Sequence, residues 1–245
     1  MLEHSSTILL TGATSGIGRA LFEQLQKQGH QLIVVARSRE RLSALQNNYE
    51  NVVCYPCDLS SRADVESLAN KIVECHPTLN ILINNAGVQF TPSLLDEDFD
   101  FDSIEHETIV NFLAPLWLSY LLLPSLLGSG QQAGIINISS GLAFAPKTQS
   151  AVYCANKAAL HSLSQSLRYQ LSNTNVQVIE AIMPLVDTPM TAGRGSNKIS
   201  PDEAARQIIK GLTQGRDEIY VGKAKVLPLL IRLSPALVKT IMRRY

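Results

Sequence analysis

Three glycines separate a short apolar segment from a helical segment near the N-terminus, and this arrangement restricts the fold more than any other feature. Residues 7–10 are uniformly apolar after Thr7, which predicts a buried strand. Gly12, Gly16 and Gly18 follow, and the helical spacing beyond them ends at Gly29. A strand, a glycine turn and a helix in this order predict the first unit of an alternating α/β fold.

The same turn predicts a binding site for a dinucleotide. Glycine allows the backbone to adopt positive φ and to approach a ligand closely. The start of the following helix offers free N–H groups and a partial positive charge to a pyrophosphate. The spacing is G-x-x-x-G-x-G instead of the commoner G-x-G-x-x-G. An ordinary tight turn is the alternative, and the flanking strand and helix favour the dinucleotide.

Arginines at the end of the second predicted strand, 32–36, favour NADP over NAD. In dinucleotide folds, an acidic residue about 20 positions beyond the glycines binds the ribose hydroxyls of NAD. Here Arg37 occupies the end of the strand, and Arg39 and Arg41 follow. A guanidinium offers a planar set of donors to a 2′-phosphate. The alternative is that these arginines form the solvated start of a helix.

A tyrosine and a lysine four residues apart predict a site of proton transfer. Tyr153 and Lys157 lie in the segment 152–171, which has helical spacing, so both side chains share one helix face. Lowering the pKa of a phenol from about 10 to about 7 requires roughly 4 kcal/mol. A cation about 4 Å away supplies about that much at an effective dielectric of 20. Lys157, helped by an oxidised nicotinamide ring, is therefore sufficient to create a base. Without the glycine turn, two residues facing water would be the better interpretation.

A serine at the end of a predicted strand completes this candidate site. Ser140 follows the apolar run 135–139, and ligand crevices form at strand ends in open α/β sheets. Its hydroxyl can donate a hydrogen bond to a substrate oxygen. Ser139 is expected to point to the opposite side of the strand.

Together these residues resemble the short-chain dehydrogenase/reductase family of the Tyr-x-x-x-Lys type. The resemblance extends from Thr7 to about Val221. It rests on motifs in the family's order, which are 11–18, Asp58-Leu59, 84–87, Asn111, Ser140, Tyr153 with Lys157, and 184–188.

The resemblance implies a role for each member of a catalytic set. Tyr153 would be the general acid in ketone reduction and the base in alcohol oxidation. Lys157 would also bind the nicotinamide ribose, and Ser140 would position and polarise the carbonyl. Asn111 would hold a water molecule that connects Lys157 to solvent.

The resemblance also implies a cofactor site that runs along the whole sheet edge. Asp58 would contact the adenine, the motif 84–87 would stabilise the sheet and line the cofactor, and Thr188 would bind the nicotinamide carboxamide. The expected cofactor-binding residues are Gly12, Thr14, Ser15, Gly16, Ile17, Gly18, Arg37, Asp58, Leu59, Asn85, Ala86, Gly87, Tyr153, Lys157, Pro184 and Thr188. Two positions depart from the family pattern. Asn156 replaces a serine, and Leu185 replaces a glycine whose loss must change the loop near the nicotinamide.

The order of predicted elements gives the fold class. Strands are expected near 7–10, 32–36, 52–55, 81–84, 135–139, 176–183 and 219–221, with helical patterns between most of them. This alternation predicts a doubly wound α/β fold of the Rossmann type, with a parallel sheet and helices on both faces. The family resemblance adds the strand order 3-2-1-4-5-6-7. At 245 residues and 45% hydrophobic composition, residues 1–245 are expected to form a single domain.

Composition argues against several other classes of protein. The chain carries 21 basic and 21 acidic residues, so its charge gives no argument for nucleic acid. Its four cysteines do not form a disulfide framework. Cys54 and Cys57 have C-x-x-C spacing, but they lie in a predicted strand, and neither a redox pair nor a metal site is expected. The absence of a visible signal peptide predicts a cytoplasmic location.

The uncharged segment 109–127 is long enough to raise the question of a membrane span. Asn111, Pro115 and Pro124 interrupt it, and a helix that is apolar on nearly all sides can also be buried in protein. The family packs this helix and the Tyr153 helix against a second subunit. A homodimer or homotetramer is therefore expected.

Two further segments bear on the substrate. The loop 189–200 would cover the substrate, and its shortness and glycines predict a mobile lid over an open or shallow pocket. The tail 223–245 is basic and amphipathic, with Arg244 among its cations, and can lie on an anionic membrane surface. A helix that closes the pocket or packs on a neighbouring subunit is the favoured interpretation. The tail is loosely similar to that of the family branch labelled as oxidoreductases of lipoteichoic-acid D-alanylation.

The sequence therefore predicts an NADP-dependent oxidoreductase that transfers a hydride between the nicotinamide and a small-molecule carbonyl or alcohol, on a largely apolar substrate. A non-catalytic sensor or scaffold that binds NADP is one alternative. A reductase of lipid-linked substrates, held at the membrane surface by the tail, is the other.

Overall fold

A seven-stranded parallel sheet forms the centre of the molecule. The computed structural model describes residues 2, 5–90, 92–97 and 99–243. The strand order is β3-β2-β1-β4-β5-β6-β7, as the family resemblance implied. The strands are β1 (Thr7–Thr11), β2 (Gln31–Ala36), β3 (Val52–Pro56), β4 (Leu79–Asn84), β5 (Ala133–Ser140), β6 (Val176–Met183) and β7 (Glu218–Tyr220).

Helices cover both faces of the sheet. They are α1 (Gly16–Lys27), α2 (Arg39–Asn48), α3 (Arg62–Cys75), α4 (Asp102–Thr108), α5 (Ala114–Leu127), α6 (Ala151–Gln170), α7 (Pro201–Thr213), α8 (Leu227–Leu233) and α9 (Pro235–Met242). Side chains alternate along each strand, so neighbouring residues enter opposite cores. Leu10 packs with α1 and α7 in one core, whereas Leu9 packs with α3 and α5 in the other. The predicted Rossmann-type architecture is therefore confirmed.

The apolar segment 109–127 belongs to one of these helical layers. It continues α4 through a π-helical turn, Ile109–Leu113, into α5. Within the described residues, the combined helix Asp102–Leu127 is the one helix long and apolar enough to cross a membrane. Leu118, Leu122 and Leu126 are buried against the sheet. These side chains belong to the core formed with α3, so burial inside the protein accounts for the apolar residues on this face of the helix.

The tail is helical and returns to the body of the protein. A short 3₁₀ turn, Gly222–Val226, leads into α8 and α9, which are separated at Ser234. The side chain of Val238 is buried, and the Thr148 hydroxyl donates a 2.8 Å hydrogen bond to the carbonyl of Arg243. Arg244 and Tyr245, which the expected tail includes, lie outside the described residues.

A buried ion pair joins α6 to β6, the strand next to one edge of the sheet. Glu180 on β6 is fully buried, and its Oε2 lies 2.6 Å from Nδ1 of His161 on α6. Glu218 lies close to this pair, accepts a hydrogen bond from the Tyr220 hydroxyl and is 3.8 Å from Arg168. The hydrogen bond to Glu180 raises the His161 pKa, against the opposing effect of burial. The pair therefore stabilises the fold when His161 is protonated.

We expect this contribution to depend on pH in one direction. It is complete below the unfolded-state pKa of about 6.5 and is lost as the pH rises through the higher folded-state pKa. His161→Gln keeps a hydrogen-bond donor but removes the charge. The difference in unfolding free energy between wild type and variant, measured by urea unfolding, should therefore be larger at about pH 5.5 than at about pH 9. A difference that stays constant across this range would contradict the assignment of the ion pair.

Candidate active site

One cleft at the carboxyl edge of the sheet brings together nearly all of the residues expected to bind cofactor and substrate. Its volume is about 1000 Å³. Every expected cofactor residue lines it, and so do the expected catalytic residues except Asn111. The lining positions from the sequence prediction are Gly12, Thr14, Ser15, Gly16, Ile17, Gly18, Arg37, Asp58, Leu59, Asn85, Ala86, Gly87, Ser140, Tyr153, Lys157, Pro184 and Thr188.

The glycine turn has no room for side chains. Gly12 and Gly16 have φ of 71° and 53°, in the left-handed region that favours glycine. A Cβ on Gly18 would clash with the carbonyl oxygen of Gly12 and with Nδ2 of Asn85. Ser15 precedes α1 without capping it through its side chain, and the first turn holds no acidic residue. The turn therefore leaves the helix N–H groups available to an anion.

Hydrogen bonds fix this turn against the end of β4. Asn85 donates through Nδ2 to the Thr11 carbonyl at 2.9 Å. The Thr11 hydroxyl oxygen accepts from the backbone N–H groups of Asn85 and Ala86, each at 3.0 Å. The neighbouring Asn84 donates to Asn137 on β5 at 2.9 Å. The motif 84–87 thus joins three strands at the edge where the cleft opens.

Arg37 and Asp58 lie at one end of the cleft. Oδ1 of Asp58 accepts hydrogen bonds from the backbone and the hydroxyl of Ser60. These bonds, with the charge of Arg37, lower the Asp58 pKa despite its partial burial. Arg37 is exposed, and Arg41 also lines this end of the cleft. The end therefore offers two guanidinium groups beside one carboxylate.

Ser140, Tyr153 and Lys157 lie at the other end. Ser140 is the last residue of β5, and its Oγ accepts a hydrogen bond from the Leu142 N–H at 3.1 Å. Tyr153 and Lys157 lie one turn apart near the start of α6, and Nζ of Lys157 is 5.6 Å from the centre of the phenol ring. Nζ donates a 2.8 Å hydrogen bond to the Ile138 carbonyl. The helix and the strand thus place a phenol, an ammonium and a hydroxyl around one space.

The environment holds Tyr153 in its neutral form. Burial raises the Tyr153 pKa, and the charges of Cys154 and Glu107 add to this effect, whereas a hydrogen bond with Ser140 opposes it. Burial also lowers the Lys157 pKa to about 8. Lys157 alone therefore does not give the phenol a pKa near neutrality. The protonated phenol is the form that can donate a proton, and the base role stays a prediction.

Asn111 lies behind the cleft. It is fully buried within the π-helical turn. Its amide exchanges two hydrogen bonds with the backbone of Val88, donating at 2.8 Å and accepting at 3.0 Å. Asn111 therefore fixes the chain that follows β4, and its role in holding a water molecule stays a prediction.

The loop 189–200 and the tail both contribute residues to the wall of the cleft. The loop 189–200 is tied down by a bridge between Val186 and Ile199 and by a 2.6 Å hydrogen bond from Lys198 to the Thr191 carbonyl. Leu185 is 39% exposed and would contact a Cβ on Gly195. The tail also contributes apolar residues to the wall, namely Val226, Leu227, Leu230 and Met242. These tail residues agree with the favoured interpretation that the tail packs at the pocket, and the open or shallow shape of the pocket stays a prediction.

Sequence reasoning missed several polar residues near the site. Lys147 and Arg194 line the cleft, but each lies in an irregular polar segment without a motif. His161, Glu180 and Glu218 place ligand-type atoms within 4.8 Å of one another, although no metal site was expected. They come from one helix and two strands, so sequence spacing gave no sign of the cluster.

Comparisons with known proteins agree with this arrangement. The short chain dehydrogenase family model matches residues 6–199. The uncharacterized oxidoreductase DltE of Bacillus subtilis (strain 168) is 38% identical over 225 residues, which are 88% of this chain and 87% of the relative. An uncharacterized oxidoreductase of Staphylococcus epidermidis is 31% identical over 228 residues, 90% of this chain and 96% of the relative.

Solved structures match over most of both chains. A short chain dehydrogenase from Burkholderia cenocepacia J2315 in complex with NADP has a TM-score of 0.87, 26% identity and 98% coverage of each chain. A short-chain dehydrogenase from Sphingobium yanoikuyae in complex with NADPH has a TM-score of 0.81 and 29% identity, covering 88% of this chain and 87% of that chain. This chain belongs to the short-chain dehydrogenase/reductase family of NAD(P)-dependent oxidoreductases.

Proposed function

We propose that this protein uses NADPH to reduce a carbonyl group, with Tyr153 as the proton donor. One observation carries the proposal: the glycine turn and the Ser140, Tyr153 and Lys157 side chains line opposite parts of a single cleft. A dinucleotide held at the turn and at Arg37 would bring its reactive ring to the phenol.

The residues present fit the cofactor. The N-terminus of α1 has no side-chain cap and no acidic residue in its first turn, so its N–H groups are available to a pyrophosphate. Pro184 and Thr188 line the same cleft as Tyr153 and would hold the nicotinamide. The bound cofactor supplies the hydride for the reduction.

The chain itself supplies the proton and the orientation of the substrate. Ser140 and Tyr153 would both donate hydrogen bonds to the substrate oxygen, which fixes the carbonyl and stabilises the negative charge that develops on it. The phenol then transfers its proton to that oxygen. Lys157 would stabilise the resulting phenolate, and its ammonium is already fixed by the Ile138 carbonyl.

We expect Tyr153→Phe to abolish this reaction without disturbing cofactor binding. Removing a general acid typically costs a hundredfold or more in rate. The matched control is Tyr169→Phe, which changes a 74% exposed tyrosine on the same helix. NADPH oxidation with a panel of ketones and fluorescence titration of NADPH provide the two measurements.

The outcome of this pair separates reduction from the sensor or scaffold alternative. Loss of turnover in Tyr153→Phe alone supports the mechanism. A Tyr153→Phe protein that turns over at the wild-type rate would remove it. A wild-type protein that binds NADPH but reduces no carbonyl would favour the sensor.

The preference for NADPH rests on Arg37. The Arg37 side chain lines the cleft beside Ser38 and Arg41, where a 2′-phosphate would lie. The two similar structures from Burkholderia cenocepacia and Sphingobium yanoikuyae are complexes with NADP and NADPH. A guanidinium–phosphate pair is charge-assisted and bidentate, which NADH cannot reproduce.

We expect Arg37→Ala to weaken NADPH binding by about tenfold or more, because a hydrogen bond to a charged group contributes about 1.5–3 kcal/mol. NADH binding should change little. Arg39→Ala is the matched control, since Arg39 is exposed and lies outside the cleft. Calorimetric titrations of both cofactors measure the change. Equal losses for NADPH and NADH would show that Arg37 does not bind the 2′-phosphate.

We also propose that the protein forms a homo-oligomer and is located in the cytoplasm. Phe101, Tyr120 and Tyr169 are each about three-quarters exposed, at 77%, 75% and 74%. Tyr120 lies on α5 and Tyr169 on α6, the two helices that the family resemblance assigns to subunit contacts, and Phe101 directly precedes α4. Burial of these aromatic rings against a second copy would remove a large apolar area from water.

A second candidate function follows from the exposed surface of the tail. Leu229, Leu233, Leu237 and Ile241 are all more than two-fifths exposed. The described tail residues also include five cations and no acid, namely Lys223, Lys225, Arg232, Lys239 and Arg243. Apolar and basic groups together favour the surface of an anionic membrane, and the tail also walls the cleft. A reductase of lipid-linked substrates is therefore the second candidate.

Vesicle sedimentation tests this second candidate. We expect wild type to bind vesicles that contain phosphatidylglycerol more tightly than vesicles of phosphatidylcholine alone, because each surface cation contributes about 1 kcal/mol. Leu233→Gln with Leu237→Gln should reduce the binding. The matched control is Leu94→Gln with Leu95→Gln, which changes two leucines of 69% and 92% exposure outside the tail. Equal binding by both double variants, or none by wild type, would exclude the membrane role of the tail.

A further inference from the structure

Two cations lie at the substrate end of the cleft without a carboxylate beside them. Lys147 precedes α6, and Arg194 belongs to the loop 189–200. Both side chains line the cleft that contains Tyr153. Among the described residues that line this cleft, Asp58 is the only carboxylate, and it lies at the opposite end beside Arg37.

Neither cation is neutralised within the described part of the chain. Nη1 of Arg194 is buried and has no hydrogen-bond partner. The ammonium of Lys147 forms no hydrogen bond or ion pair with the described residues. A buried donor without a partner costs about 1–3 kcal/mol, and more when it is charged. Such a cost is offset when a ligand supplies the partner.

The charge of Arg194 affects the pKa values of both Lys147 and Tyr153. Burial lowers the Lys147 pKa, and the charge of Arg194 lowers it further. The charge of Arg194 reaches Tyr153 as well, where it lowers the phenol pKa against the larger effect of burial. Two like charges held near each other favour an anion between them.

Much of the remaining wall is apolar. The same cleft is lined by Leu142, Ala145, Met190, Leu227 and Leu230, together with the polar Gln149, Ser196 and Asn197 and the exposed Lys223. A ligand that contacts both the apolar wall and the two cations therefore combines an aliphatic body with an anionic group. A purely apolar substrate would leave both cations desolvated and unpaired.

We propose that Lys147 and Arg194 form an anion-binding subsite that selects carbonyl substrates with an aliphatic body and a carboxylate or phosphate group. The planar guanidinium would bind two oxygens of the anion, and the ammonium would bind as a point charge. The subsite lies on the substrate side of Tyr153, so it fixes which end of the substrate faces the phenol. This inference deepens the proposed carbonyl reduction, but its test does not depend on turnover.

Calorimetry on the complex with NADP⁺ tests the subsite directly. The probes are decanoate, decyl phosphate and methyl decanoate, which share an aliphatic chain and differ in charge. Wild type should bind the two anions at least about tenfold more tightly than the ester, as expected for a charge-assisted hydrogen bond. The ratio between decanoate and decyl phosphate then identifies the preferred anion.

Substitutions assign the effect to the two cations. Arg194→Gln and Lys147→Gln should each weaken the binding of the anions by about tenfold and leave the ester unchanged. Arg216→Gln, which removes an exposed arginine outside the cleft, is the matched control. The affinity of each variant for NADP⁺ shows that it is folded and that its cofactor site is intact.

Three results would overturn the inference. Wild type could bind decanoate and methyl decanoate equally, or both variants could bind the anions as tightly as wild type does. Arg194→Gln could also lose as much affinity for NADP⁺ as it loses for the anions. The last result would assign the guanidinium to a cofactor phosphate. Failure of the proposed reduction is distinguishable from these. A wild-type protein that selects decanoate but reduces no oxo acid would retain the subsite and lose the reaction.

Discussion

The close approach between the glycine turn and the end of β4 determines the geometry of the cleft. Gly18 lies so near the Gly12 carbonyl and the Asn85 amide that a single methyl group would not fit. The Thr11 hydroxyl accepts two backbone hydrogen bonds from the same β4 extension. Because the strand ends are joined here, the N-terminus of α1, the residues after β4 and the end of β5 face one space. The proposed reduction depends on that shared space, because the cofactor that supplies the hydride and the phenol that supplies the proton must both reach the substrate there.

Burial determines the protonation states at the reacting end. Removing Tyr153 from water favours the neutral phenol, and the same effect disfavours the Lys157 ammonium. The Ile138 carbonyl holds the ammonium in place at 2.8 Å. The neutral phenol is the form that can donate a proton, as the proposed reduction requires.

The sequence was sufficient to predict the sheet and most of the cleft lining, and there are physical reasons for this. Each strand is a short apolar run between helical segments, and parallel strands bring their carboxyl ends to one edge. The Gly12, Ser140 and Tyr153 motifs all lie at that edge or at the helix that follows it. Local patterns therefore contained most of the information about the cleft.

The remaining features depend on contacts between distant segments. The ion pair of His161 and Glu180 joins a helix to a strand, and neither residue stands in a recognisable spacing. The π-helical turn around Asn111 does not change the apolar pattern of its helix. Lys147 and Arg194 line one cleft although they come from distant segments of the chain, one before α6 and one in the loop 189–200. Residues of the tail line the cleft, and the pattern of apolar residues within the tail does not indicate which of them do so.

The proposed function depends on where the nicotinamide ring lies in the cleft, and a crystal structure of the complex with NADPH measures this. We expect the pyrophosphate at the N-terminus of α1, the 2′-phosphate on Arg37 and the nicotinamide beside Tyr153 and Thr188. A nicotinamide that lies outside the cleft, or away from the Tyr153 hydroxyl with Lys157 free of the ribose, would contradict the proposed function.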